Sequence, residues 1–125
     1  MYSIGEVGKM LGISTHALRY YDKEGIVVPI RNQNNERMYN EDHLSWLKFV
    51  LRLKRTKMSI TKIKRYAALV HEGDHTHAER LSILEEHQIF MSEKVKELQE
   101  TEEILNKKIE RYKSYLGDRI SKNKS

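Results

Sequence analysis

Thr15-His16-Ala17-Leu18-Arg19-Tyr20-Tyr21-Asp22-Lys23-Glu24-Gly25 is the stretch that decides the fold of this 125-residue chain. Ser14, just before it, has a side-chain oxygen suited to accept a first-turn N–H, so a helix opens there. The helix runs through Glu24, and Gly25 supplies the left-handed residue that closes it. Within it His16, Arg19, Tyr20 and Lys23 fall at i, i+3, i+4 and i+7 and share one face. Leu18 and Tyr21 point elsewhere, towards Ile4, Val7 and a third helix. An arginine on such a face can donate a fork to guanine O6 and N7, while Lys and Tyr reach phosphate oxygens. The same face also suits an ordinary solvated helix, and this helix alone does not choose between the two.

The flanks do. Upstream, Ser3-Ile4-Gly5-Glu6 reads as a capping box opening a short helix, with Ile4, Val7 and Leu11 on one side and Gly12 at its end. Helix, glycine turn, helix is the helix-turn-helix pattern. Downstream, Ile26-Val27-Val28-Pro29-Ile30 is β-branched and short, and Pro29 confines it to an edge or an irregular extension. Arg31 to Glu36 is a polar loop in which Asn35 tolerates positive φ, and Arg37-Met38-Tyr39 returns as a strand. The resulting small wing adds Arg31, Arg37 and Tyr39 to the cationic and aromatic groups of the helix, which makes DNA the better reading.

Charge agrees. Residues 1–70 hold 13 Lys/Arg against 6 Asp/Glu, and residues 71–125 hold 10 against 12, so the net +5 sits in the first half. A basic half is the footprint of a polyanion binder, although a solvated basic surface gives the same sum. With 38% hydrophobic and 33% charged residues, the chain is lean for a single globule. One proline and six glycines argue against disorder, leaving a long exposed helix as the expectation. No apolar run approaches the roughly 20 residues of a membrane span, and Met1–Met10 lacks the marks of a signal peptide. Without cysteine there is no disulfide scaffold, thiolate metal site or cysteine nucleophile. A cytoplasmic, helix-rich protein with no membrane partner is expected.

Asn40 caps a third helix whose first turn carries Glu41 and Asp42. Its two apolar stripes, Leu44/Leu47/Leu51 and Trp46/Phe49/Val50/Leu53, predict a helix covered on two sides. Ser59 caps a fourth helix to about His71, ended by Gly73, and Thr76-His77-Ala78-Glu79 reads as a second capping box. Beyond it, Leu84, Met91, Leu98, Leu105 and Tyr112 form one series in steps of seven, and Leu81, Gln88, Val95, Glu102, Ile109 and Leu116 the other. Nine of the eleven are apolar, sustained over about five heptads, which is a coiled-coil seam that a partner chain must cover. A helix folded back on its own N-terminal domain is the alternative. The expected organisation is therefore a DNA-binding domain over 1–70, a connector over 71–78, a coiled-coil dimerisation helix over 79–116 and a flexible tail over 117–125.

The run Tyr2-Ser3-Ile4-Gly5-Glu6-Val7, then Leu18-Arg19-Tyr20-Tyr21-Asp22-Lys23-Glu24-Gly25-Ile26, Pro29-Ile30-Arg31, Arg37-Met38-Tyr39, Asp42-His43-Leu44 and Lys57-Met58-Ser59-Ile60 resembles the MerR family of bacterial transcription regulators. The resemblance implies a mostly α fold, a winged helix-turn-helix followed by an antiparallel dimerisation coiled coil. It implies a homodimer on a pseudo-palindromic promoter site, distorting DNA so that RNA polymerase can use the promoter. By position, Thr15, His16 and Arg19 would approach bases, and Tyr20, Tyr21, Arg31, Arg37 and Tyr39 would hold phosphates. Where the family usually has glycine, this chain has Asn35 in the wing and Lys57 before the Met-Ser pair. Gly73, Asp74, Thr76, Arg80 and His87 look similar to the small aldehyde- and stress-responsive branch. The absence of cysteine excludes both thiolate metal sensing and electrophile capture by a thiol.

His71, Glu72, Asp74, His75 and His77 crowd one segment. A polar loop with capping residues explains them, and a His-liganded divalent-metal sensor is the alternative. No cofactor is expected, and no nucleophile motif, phosphate loop or acid pair points to an enzyme. Any ligand would sit near Trp46, Phe49, Tyr66 and the partner's helix, where core packing is the competing explanation. Another class also remains open, a coiled-coil adaptor whose basic end binds nucleic acid or an acidic protein patch.

Overall fold

The computed structural model describes the backbone of residues 1–124 and side chains through Arg119. Elements follow in the order β1 (Tyr2–Ser3), α1 (Ile4–Leu11), α2 (Thr15–Lys23), β2 (Ile30–Arg31), β3 (Arg37–Tyr39), α3 (Glu41–Arg55), α4 (Ile60–Glu72), a 3-10 turn (Asp74–Thr76) and α5 (His77–Lys124). The chain separates into two compact units, Met1–Glu85 and Glu86–Ser125.

In the first unit, each of the first four helices starts at a residue whose side chain satisfies an orphan amide. Ser3 accepts from Glu6 N while Glu6 reaches back to Ser3 N, Ser14 accepts from Ala17 N, and Ser59 accepts from Lys62 N. At α3 the box is Asn40 with His43, whose Nδ1 accepts the Asn40 N–H. Such caps are each worth about 1 kcal/mol. Gly12 (φ 67°) and Gly25 (φ 72°) end α1 and follow α2 in the left-handed region. Gly8 is required for a different reason: a Cβ there would lie 2.9 Å from the Ile13 carbonyl oxygen, where α1 turns towards α2.

The sheet has the order β1-β3-β2, both pairs antiparallel, with Tyr2 opposite Tyr39 and Arg31 opposite Arg37. β2 and β3 are the wing. Its turn is organised by Asn32, whose Oδ1 accepts from Asn34 N and Glu36 N, both at 2.9 Å, while Asn35 takes φ 61° as its residue type allows. The core comprises Val7, Leu18, Tyr21, Ile26, Val27, Tyr39, Leu44, Leu47, Val50, Leu53, Met58 and Ile63, with Trp46 and Leu51 packed partly buried against it. Both stripes of α3 are thus used, except that Phe49 remains partly exposed.

Three expectations are corrected. The connector is shorter than 71–78, because α4 extends to Glu72 and α5 begins at His77. Thr76 is no capping-box residue. Its buried hydroxyl lies 2.7 Å from both the Leu69 and Gly73 carbonyl oxygens, tying the turn to the end of α4, and Glu79 pairs with Arg65 at 3.0 Å. The segment read as a flexible tail is helical through Lys124, and Ser125 lies outside the described residues.

α5 continues without interruption from the first unit through the second, whose described residues belong to no other element. The seam residues Met91, Val95, Leu98, Leu105, Ile109, Tyr112 and Leu116 are 37–70% exposed within the single chain. Leu84, in the first unit, is half-buried.

Candidate nucleic-acid interface

The base-reading candidates are presented as their helical spacing requires. His16, Arg19, Tyr20 and Lys23 are exposed on α2, Thr15 is half-buried, and Leu18 is wholly buried beneath them. The Arg19 Nη1 lies 3.5 Å from Thr15 Oγ1 one turn earlier, a contact at the limit of a hydrogen bond.

The wing arginines converge on α2. Arg37 Nε donates to Asp22 Oδ2 at 2.8 Å and Arg31 Nη2 donates to the same oxygen at 3.1 Å. Arg31 Nη1 also donates to the Asn35 carbonyl at 3.1 Å, so the left-handed turn residue helps aim it. One carboxylate between two guanidinia leaves a net positive charge at the junction of helix and wing.

Two tyrosines expected to hold phosphates are not on this surface. Tyr21 is 1% exposed because it shares the inward face of α2 with Leu18, and Lys54 lies over its ring. Tyr39 is 0% exposed because the third residue of β3 points inward, edge-on to His43. Among the described residues its hydroxyl has no hydrogen-bond partner, and burial, then the Asp22 charge, hold its pKa above the usual phenol value, Arg37 opposing. The reading of Tyr21 as partly inward is the one that agrees with the burial.

A second basic surface lies on the turn between α3 and α4, of which the sequence reading singles out Lys57 alone. Arg52, Lys54, Arg55 and Lys57 are exposed, and residues 52–65 hold seven Lys/Arg and no Asp/Glu, a run legible in the sequence. Lys57 sits at φ 72° although it is not glycine. Lys64 Nζ pairs with Glu24 at 2.6 Å, tying α4 to the end of α2. That contact lowers the Glu24 pKa, through its hydrogen bond first and Coulomb attraction second, and raises that of Lys64.

The other candidates are dispersed. His75 lies 3.8 Å from Glu72 and His77 3.9 Å from Asp74, all exposed, and among the described residues no three His, Asp or Glu side chains converge as a metal site. Trp46 stacks on Tyr66 at 5.8 Å with Phe49 against both, so the three rings fill one another's space. Trp46 is fixed further by donating to the Ile26 carbonyl at 2.7 Å. No described helix is long and apolar enough to cross a membrane.

A helix-turn-helix with an exposed cationic face, braced by a two-stranded wing carrying paired arginines, defines a winged helix-turn-helix protein. The family described as MerR HTH family regulatory protein matches residues 2–69, and the one described as MerR, DNA binding matches residues 44–108. The chain belongs to the MerR family. An HTH-type transcriptional regulator of Haemophilus influenzae is 39% identical over 85 residues, 67% of this chain and 63% of that protein. AdhR of Bacillus subtilis is 32% identical over 83 residues, 66% of this chain and 59% of its own length. The chain therefore spans about three-fifths of these curated relatives. Among solved structures, HiNmlR, a MerR family regulator lacking the sensor domain and bound to promoter DNA, superposes with TM-score 0.82 at 33% identity, covering 90% of each chain. A MerR family regulator from Listeria monocytogenes superposes with TM-score 0.89 at 30% identity, covering 99% of this chain and 95% of that one.

Proposed function

We propose that this chain is a sequence-specific DNA-binding transcription regulator, acting as a homodimer on a pseudo-palindromic promoter site. The observation that carries the reading is the exposed His16/Arg19/Tyr20/Lys23 face beside the Asp22-held Arg31 and Arg37. Thr15, His16 and Arg19 approach base edges, and Tyr20, Lys23, Arg31 and Arg37 take phosphates. Arg52, Lys54, Arg55 and Lys57, exposed on the turn between α3 and α4, extend the phosphate contacts. The seam of α5, from half-buried Leu84 through the exposed residues Met91 to Leu116, supplies the pairing surface for a second copy. Fixed spacing between the two reading heads then imposes bending or twisting on the duplex, so specificity extends to bases that are not touched. RNA polymerase at the same promoter, in the cytoplasm, is the partner that senses the distortion. An adaptor with a merely basic end has no use for a wing aligned with a reading helix.

Selection from a random-sequence duplex library tests this reading. The expected product is an inverted repeat, and Arg19→Ala should relax one position in each half-site at a cost of about 1–3 kcal/mol. Enrichment of no sequence, or of one unchanged by Arg19→Ala, contradicts it.

A further inference from the structure

We propose that Asp22 is a positioning residue for DNA reading, locking α2 to the wing and presenting the Arg31 and Arg37 guanidinia to phosphates in a fixed pose. The inference rests on the DNA-binding reading above. Asp22 belongs to α2 yet makes its contacts outside it, and its side chain is 17% exposed. A single oxygen, Oδ2, accepts from both wing arginines, from Arg37 Nε at 2.8 Å and Arg31 Nη2 at 3.1 Å. The two donor nitrogens are therefore at most about 6 Å apart, where like charges repel appreciably in a protein's effective dielectric. The carboxylate between them offsets that repulsion.

What the contact leaves over matters as much. Among the described residues Arg37 is engaged only through Nε, so its two terminal Nη groups remain for a bidentate grip on a phosphate. Arg31 is pinned at a second point by the Asn35 carbonyl. Base-reading side chains on α2 and phosphate-binding side chains on the wing then share one anchor, which keeps the two sets of contacts in register.

Charge alone predicts the opposite of positioning. A carboxylate beside a polyanion weakens binding, so its removal should tighten the complex on any sequence. Positioning predicts that removal weakens binding, and only where the bases are read.

The test uses the full chain and the duplex that the wild-type protein enriches from a random library, with a shuffled duplex alongside, by fluorescence anisotropy. Asp22→Asn is expected to bind the enriched duplex about tenfold more weakly and the shuffled duplex equally or more tightly. Asp22→Glu, which keeps a carboxylate within reach of both guanidinia, should restore most of the loss. In an Arg37→Gln background the Asp22→Asn change should have little further effect, the non-additivity of a shared contact. If the released guanidinia unfold Asp22→Asn, comparing Arg31→Gln with Arg31→Gln/Asp22→Asn asks the same question with one cation fewer. Asp22→Asn binding the enriched duplex as tightly as wild type, or losing both duplexes in parallel, overturns the proposal while leaving DNA binding intact. Failure of the wild-type protein to enrich any sequence overturns the DNA-binding reading and the proposal with it.

Discussion

Leu47 and Leu98 are the same side chain in the same kind of element, yet Leu47 in α3 is 0% exposed and Leu98 in α5 is 70% exposed. The first belongs to a buried cluster that draws residues from α1, α2, α4 and the wing, and its burial contributes about 1.5–3 kcal/mol to the fold of its own chain. The second belongs to no such cluster among the described residues, and the seam residues that follow it are likewise about half exposed or more. Helix formation is cooperative with weak intrinsic drive, so a long helix with a bare apolar stripe depends on a partner for its stability. On the proposed dimer reading, one chain holds two kinds of stability, one internal to residues 1–85 and one that arises only when two copies pair.

The sharpest way to break that contrast is to charge the seam. Leu98→Glu with Leu105→Glu should convert the dimer to a monomer in sedimentation equilibrium and lower affinity for the enriched duplex by about 100-fold or more, since the two heads no longer bind as one. A dimer that survives would mean that pairing uses another surface. The reciprocal change is Leu47→Ala, expected to cost about 2–5 kcal/mol in urea unfolding through the cavity it leaves, without dissociating the chains. If Leu47→Ala instead dissociates the dimer, the two stabilities are not separable.

Smaller effects sharpen the picture within the first unit. Lys57 holds φ 72°, a strained backbone for a residue with a Cβ. Lys57→Gly should raise stability by about 0.5–1 kcal/mol in thermal unfolding, the relief of strain exceeding the entropy that glycine adds to the unfolded chain. The same variant should bind DNA slightly less well and with a shallower salt dependence, having lost one cation. The smallest effect concerns Glu24 and Lys64. A carboxyl whose folded pKa is lowered adds stability above its unfolded value of about 4 and loses it as pH falls through the folded value. An amine whose folded pKa is raised contributes below its unfolded value and loses that contribution as pH rises through the folded one. The pair is therefore intact across neutral pH and fails at both extremes. Glu24→Gln should slightly flatten the acid limb of the stability profile, the more so at low salt, because both groups face solvent.

What was legible in the sequence was local. Ser3, Ser14, Asn40 and Ser59 cap their helices because each needs only the amide three residues ahead, and positive φ at Asn35 follows from its residue type alone. The face of α2 followed from period 3.6, which places Arg19 outward and Leu18 inward. What was not legible depends on distant partners. β1 exists only because Tyr2 and Ser3 meet Tyr39 and Met38, thirty-odd residues away. The burial of Tyr39 follows from that same pairing, and a Tyr two residues after Arg37 in a basic wing looks like a phosphate ligand until the sheet register is known. Thr76 illustrates a different limit: its position before a helix suggests a cap, but the chain turns back so tightly that the carbonyls of Leu69 in α4 and of Gly73 just after it reach the hydroxyl first. The convergence of Arg31 and Arg37 on Asp22 has no sequence signature short of folding the wing.

Binding of the wild-type chain to its enriched duplex and to a shuffled one, across a salt series, separates sequence reading by a dimer from attraction by charge alone. A sequence-reading dimer binds the enriched duplex tightly with two chains per duplex, discriminates by about 1000-fold or more, and loses log affinity steeply with log salt as several phosphates are neutralised by each copy. Equal affinity for both duplexes at every salt concentration, or one chain per duplex, would contradict it.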